Sequence, residues 1–226
     1  YKSEYDNAKK NDSIGWHFHS IHSSGDPLIY NTSWTSNDLH EKSLCYKILN
    51  HKMFPTTFRS GALIERNDIS QWLENFIPFD FSNRSRKNLK TIEYLNDWSG
   101  APSDWSCYNP SFYNFKSKGN MKRTIFRTLD IDTNSCMIKE KDILEAFKMS
   151  EKQDTILSVS THDRRDIEPE ISYFLIILKR ASKKFPNVKI EFSNALYAAK
   201  SITRKKNVKN KKNKIYTKIK NKNILE

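Results

Sequence analysis

The sequence predicts an α/β fold with a largely parallel sheet, and two observations carry that prediction. Strand-like stretches alternate with helix-like stretches along the chain, the strand-like ones clearest at Ile14–His19 and Val188–Phe192, where apolar residues recur with period two. Four of the six histidines, the most chemically versatile side chains near neutral pH, stand at the ends of two of the strand-like stretches, at His17-Phe18-His19 with His22 close behind, and at His162.

The elements follow in order. Residues up to Ser13 are polar and charged, and read as a linker or the remnant of an upstream segment. From Ile14 to His19, Ile14, Trp16 and Phe18 point one way and Gly15, His17 and His19 the other, so a strand puts both histidines on one face. Asp38 to His51 suits a helix, with Leu44 and Ile48 one turn apart, Ser36 or Asn37 as cap, and Pro55 beyond its end. A short strand, Thr56 to Arg59, leads into Ser60-Gly61. Asn67 to Phe76 carries Ile69, Trp72, Leu73 and Phe76 on one helical stripe. Pro78 to Phe81 reads as a buried strand or turn, and residues 82 to 120 as a long loop rich in Ser, Asn, Tyr and Trp. Thr124 to Leu129 is a strand, Lys141 to Met149 a helix, and Thr155 to Thr161 a strand that ends in His162. Pro169 opens the most regular helix, with Ile171, Phe174, Leu175 and Leu178 in register. Val188, Ile190 and Phe192 alternate as a final strand, and Ser193 caps a last helix to about Ile202.

The net charge of +13 suggests nucleic acid at first sight. From Lys200 to Glu226, however, eleven Lys or Arg face one acidic residue, so +10 of the +13 belongs to the tail and the body is near neutral at +3. No specific nucleic-acid partner is expected. Residues 203–226 are expected to form a basic, disordered tail with at most weak contact to anionic surfaces. Cys45, Cys107 and Cys136 lack any CxxC spacing, so neither disulfide stapling nor a structural zinc site is expected, and a reducing cytoplasm is the expected setting. The chain begins at Tyr1 rather than Met and is read as a fragment or processed product. A Gly-rich phosphate loop, a GxSxG elbow and a Cys–His pair at useful spacing are all missing from the sequence.

His17 and His19 form a strand H-x-H that can offer both imidazoles to one metal, and His22 adds to the cluster. The alternative is a pair of hydrogen-bonded histidines. Arg59 at a strand end can grip a carboxylate or another anion, or lie on the surface. His162 at the C-terminal end of a strand occupies the ligand-binding end of open and closed α/β sheets, and is read as a general acid. Asp80 and Asp97 are carboxylates that either orient a histidine or cap a turn. Trp98, Trp105 and Tyr108, with Tyr113, line a sugar cleft or anchor the loop in the core.

Gly15-Trp16-His17-Phe18-His19, Phe58-Arg59-Ser60-Gly61, Asp97-Trp98 and Ser160-Thr161-His162-Asp163 occur in an order that resembles the NodB-type polysaccharide deacetylases, closest to a branch found with surface-polysaccharide genes. The resemblance covers about residues 14 to 202. It implies a distorted (β/α)7 barrel of the glycoside hydrolase/deacetylase type, here without its first strand, in a domain spanning 14–202. It implies a divalent metal, zinc foremost, and a carbohydrate substrate from which an N-acetyl group is removed. It also implies that His17, His19 and His22 supply the metal ligands, that His162 is the catalytic acid, that Arg59 orients a base, and that Asp97 with Trp98 supports the acid. The family's Asp-Asp motif has no counterpart upstream of His17. The family's histidine spacing is met only in part, so the ligand pair is either His17 with His19 or His19 with His22. An amidohydrolase-like metal site and a carbohydrate-binding relic without catalysis are the competing readings.

Overall fold

The computed structural model describes residues 13–20, 24, 34–86, 97–131, 138–162 and 166–204. His22, Asp26, Cys136 and Asp163, and the stretches 1–12 and 205–226, lie outside them. Five strands form one parallel sheet in sequential order: β1 (Trp16–Phe18), β2 (Thr57–Ser60), β3 (Phe79–Asn83), β4 (Thr124–Asp130) and β5 (Ser158–Ser160). Helix α1 (Leu39–His51) joins β1 to β2, α2 (Asn67–Leu73) joins β2 to β3, α3 (Glu140–Ser150) joins β4 to β5, and α4 (Glu168–Lys184) follows β5. A last helix, α5, covers 195–204 and so runs past the boundary expected at 202.

Sequential order with right-handed crossovers puts every connecting helix on one face of a sheet. The packing follows that rule. Trp16 and Phe58 pack with Leu44 of α1 and Ile69 and Leu73 of α2. Farther along the same face, Leu129 packs with Ile143 and Phe147 of α3 and Phe174, Ile177 and Leu178 of α4. The opposite, inner face takes the alternate residues: His17, Arg59, Phe81, Thr128, Ser158 and Ser160 border one cavity there. Phe79, Phe81 and Phe126, deeper on that face, are covered by Leu196 and the fully buried Ala199 of α5.

Local signals explain most boundaries. Asn37 accepts the Leu39 N–H, and Lys52 ends α1 in the left-handed conformation (φ 51°). Asp142 in the first turn of α3 accepts the Lys139 N–H at 2.9 Å. Pro169 opens α4, whose acidic first turn (Glu168, Glu170) and basic last turn (Lys183, Lys184) match the helix dipole.

Three expectations change. The alternating segment 188–192 forms no ladder, although it lies across a cavity from residues 155–159. The long connection before β4 is more ordered than a bare loop, with bridges pairing Tyr108 to Ile125 and Pro110 to Lys118. Asp80 faces the helices rather than the histidines. With Glu65 it binds Arg123 in a fully buried cluster, where Arg123 also donates to Ser70. Burial, and then the charge of Asp80, push the Glu65 carboxyl up to about 8. Among the described residues no helix is long and apolar enough to cross a membrane.

Candidate active site

β1 ends where its backbone delivers two imidazoles. His17 donates its Nδ1–H to the carbonyl of Arg59 on the paired strand at 2.9 Å, because His17 and Arg59 are register partners. That bond fixes the tautomer and leaves the Nε2 lone pair directed away from the sheet. The Nε2 of His19 lies 3.1 Å from it, with the two rings nearly perpendicular. Two imidazoles bound to one tetrahedral zinc at 2.0–2.1 Å would hold their nitrogens about 3.3 Å apart. The spacing therefore suits either a shared cation or a direct hydrogen bond.

His162, just beyond β5, lines the same cavity of about 540 Å³ as His17 and Arg59. Burial lowers the pKa of His17, the hydrogen bond to Arg59 opposes this, and the charges of His19, Arg59 and His162 lower it further. His17 is thus neutral at pH 7, which is the metal-binding form.

Arg59 spans the inner face. Its guanidinium donates to the Phe81 carbonyl at 2.7 Å, to Asp130 at 2.8 Å and to Ser160 at 2.8 Å, while Ser160 also donates to Asp130. The pairing of β3 with β4 slips between Asp80 and Asn83, and the Phe81 carbonyl that Arg59 reaches lies in that irregular stretch. One side chain of β2 thereby ties together the C-terminal ends of β3, β4 and β5. The sequence reading missed Asp130 and Ser160. The signal was present, since a carboxylate directly after the apolar run Thr124–Leu129 stands at the ligand-binding end of a parallel strand.

Gly61, after β2, has a specific reason to be glycine. A Cβ there would lie 2.5 Å from the ring of His19. The next two residues, Ala62 and Leu63, both take positive φ values (51° and 59°), a strained turn beneath that histidine. Trp98 holds the turn by donating its indole N–H to the Leu63 carbonyl at 2.9 Å.

The remaining expected site residues go elsewhere. Asp97 does not line the histidine cavity; it pairs with Lys116 and accepts the Ser99 N–H. Burial pushes its carboxyl up, but those hydrogen bonds outweigh burial and hold it at about 2. Trp98, Trp105 and Tyr108 are all buried, so they anchor the connection before β4 rather than form an open cleft. The Trp105 indole donates to the Asp142 carbonyl and its ring stacks under Arg127. The Tyr108 hydroxyl donates to the Phe115 carbonyl. His22 lies outside the described residues, and among those residues no group of three or more His, Cys, Asp or Glu converges to hold a metal. His17 and His19 thus fit a divalent ion as two of its ligands, with any further protein ligand drawn from elsewhere.

No family model matches this chain, and comparison with curated proteins and with solved structures gives no match either.

Proposed function

We propose that this chain is the core of a metal-dependent hydrolase that removes N-acetyl groups from an amino-sugar polysaccharide or its precursor, on a sheet of the (β/α)7 deacetylase type. One observation carries the reading: the Nε2 atoms of His17 and His19 lie 3.1 Å apart beside a cavity that His162 also lines. The sequential parallel order of the strands, with residues of β1 and β5 bordering one cavity, supports a sheet curled in the manner of a barrel.

His17 and His19 would hold the divalent metal, which when bound supplies Lewis-acid activation of water and polarises the amide carbonyl. His162, across the cavity, gives a proton to the amine nitrogen as its bond to the acyl carbon breaks. Arg59 orients a carboxylate, and the carboxylate it holds is Asp130. The turn at Gly61–Leu63, pinned by Trp98, sets the position of His19.

The competing readings have less support. An amidohydrolase-like site needs more histidines at strand ends, whereas His40 is buried on α1 against Trp34 and His51 closes the same helix. A sugar-binding relic would present Trp98, Trp105 and Tyr108, which are instead buried, and of the four expected aromatic residues only Tyr113 is exposed. The test is metal content together with deacetylation of chito-oligosaccharides and other N-acetyl sugars, using the full-length protein. Bound zinc or another divalent ion, lost in a His17→Ala, His19→Ala double variant along with activity, is the expected result. Equal metal content in both proteins rejects the reading.

A further inference from the structure

A second cavity, of about 350 Å³, adjoins the histidine cavity. The two share Phe81, Ser158, Val159, Ser193 and Ala195 as common wall, so the second space lies directly beside the histidine cavity. Its inner end is apolar: Phe147 of α3 and Phe174 and Leu178 of α4 face it from the helix layer. Its outer side is the segment 188–192, which lies opposite β5 without a strand ladder. Ile190 and Phe192 of that segment line the cavity yet remain 42% and 74% exposed. Lys189 and Glu191 alternate with them and supply the only charged side chains among the described residues that line it. The volume lies within the ordinary range for small-molecule sites, and the apolar inner end suits an apolar group, while Ser150, Thr155, Ser158 and Ser193 add hydroxyls to the lining.

Given the hydrolase reading, on which this rests, we propose that the second cavity accepts the acyl chain of the amide being cleaved. The preferred substrate is then an N-acyl amino sugar whose acyl chain is well longer than acetyl, with N-acetyl sugars the poorer substrates of the same site. An acetyl group would end within the histidine cavity and leave the adjoining apolar space empty. Water adds its oxygen to the acyl carbon and gives up its two protons, the C–N bond breaks, and the amine leaves with the proton from His162; one of the water protons restores His162, the other passes to solvent, and the fatty carboxylate remains in the cavity as product.

The test uses the full-length protein with octanoate and acetate as binding probes, measured by calorimetry, and N-octanoyl- and N-acetylglucosamine as substrates. Octanoate is expected to bind at least about tenfold more tightly than acetate, with the negative heat-capacity change of apolar burial. Val188→Trp fills the second cavity without touching the histidine cavity. It should weaken octanoate about tenfold and slow octanoyl hydrolysis alike, with acetyl hydrolysis unchanged. Ile190→Ser, at a half-exposed position that leaves the core intact, should weaken octanoate by about threefold and guards against a misfolded Trp variant. Octanoate and acetate binding alike, or octanoate indifferent to both substitutions, overturns the proposal. Cleavage of the acetyl amide without selective octanoate binding would overturn it while leaving the hydrolase reading in place. Selective octanoate binding that both substitutions weaken, with neither amide cleaved, would uphold the apolar cavity and overturn both the hydrolase reading and the acyl-substrate assignment.

Discussion

Arg59 and His17 are joined through the backbone, since the Arg59 carbonyl accepts the His17 Nδ1–H at 2.9 Å while the Arg59 guanidinium binds Asp130. A single residue of β2 therefore sets the tautomer of one histidine and holds the strand ends that present another. Arg59→Lys keeps the charge but cannot serve Phe81, Asp130 and Ser160 together. It is expected to cost about 2–4 kcal/mol of stability by denaturant unfolding and, on the metal-site proposal, to weaken metal binding in the full-length protein. A variant with wild-type stability and wild-type metal affinity would show that the guanidinium is dispensable.

The pKa of His17 lies below the ordinary imidazole value of about 6.5, chiefly through burial. Below pH 6.5 the unfolded chain takes a proton that the folded one does not. The stability contributed by neutral His17 is thus present above that pH and is lost as the pH falls through the window down to its folded pKa. Wild type should therefore lose melting temperature between pH 7 and 5 by more than His17→Gln does. Parallel curves for the two proteins would contradict this account.

Glu65 titrates in the opposite sense. Its folded pKa of about 8 stands above its unfolded value of about 4.5, so its contribution is complete at low pH and is lost as the pH rises towards 8. The expected loss is of the order of 5 kcal/mol across that range. Glu65→Gln, which keeps an acceptor for Arg123, should flatten the dependence and be the more stable protein at pH 9. Unfolding curves at pH 5, 7 and 9 decide the matter, and a Gln variant less stable than wild type at pH 9 would rule out a protonated Glu65.

If the protein is the hydrolase proposed above, His162→Ala in the full-length protein should lower turnover by ~10²–10⁴ while metal stays bound, because a general acid acts on the leaving amine and not on the ion. Unchanged turnover on a substrate that wild type hydrolyses excludes it as the acid.

Ala199 of α5 is buried against Phe79, Phe81 and Phe126. Ala199→Glu puts a charge into that apolar contact and is expected to destabilise by about 3 kcal/mol or more. A melting temperature within error of wild type would mean that α5 is not part of the folded core.

Much of this was legible in the sequence. The alternation around Trp16 marked β1, which has one face on the helices and one on the cavity, and short strands were expected at Thr56–Arg59 and Thr155–Thr161, where β2 and β5 lie. His17 and His162 were placed at strand ends, and they border one cavity. Segment 188–192 shows the limit of that rule. Its alternation is as clean as that of β1, but period two reports sidedness and not pairing, and no ladder forms along it. The aromatic residues misled for a related reason. Trp98, Trp105 and Tyr108 carry polar atoms that find backbone carbonyls inside the protein, which composition alone does not separate from an open cleft. Asp130 was overlooked because its partner Arg59 is 71 residues away, a separation at which spacing rules say nothing.

The walls of the histidine cavity run from Ser13, just before β1, to Ala195 in the last described helix. Such a cavity is made of contacts between residues far apart along the chain, and these are costly to form early, before shorter loops have closed. During synthesis β1 emerges long before β5 and α5 exist to face it. Its two histidines then sit on an unfinished sheet edge, and the pocket comes into being only with the final stage of folding.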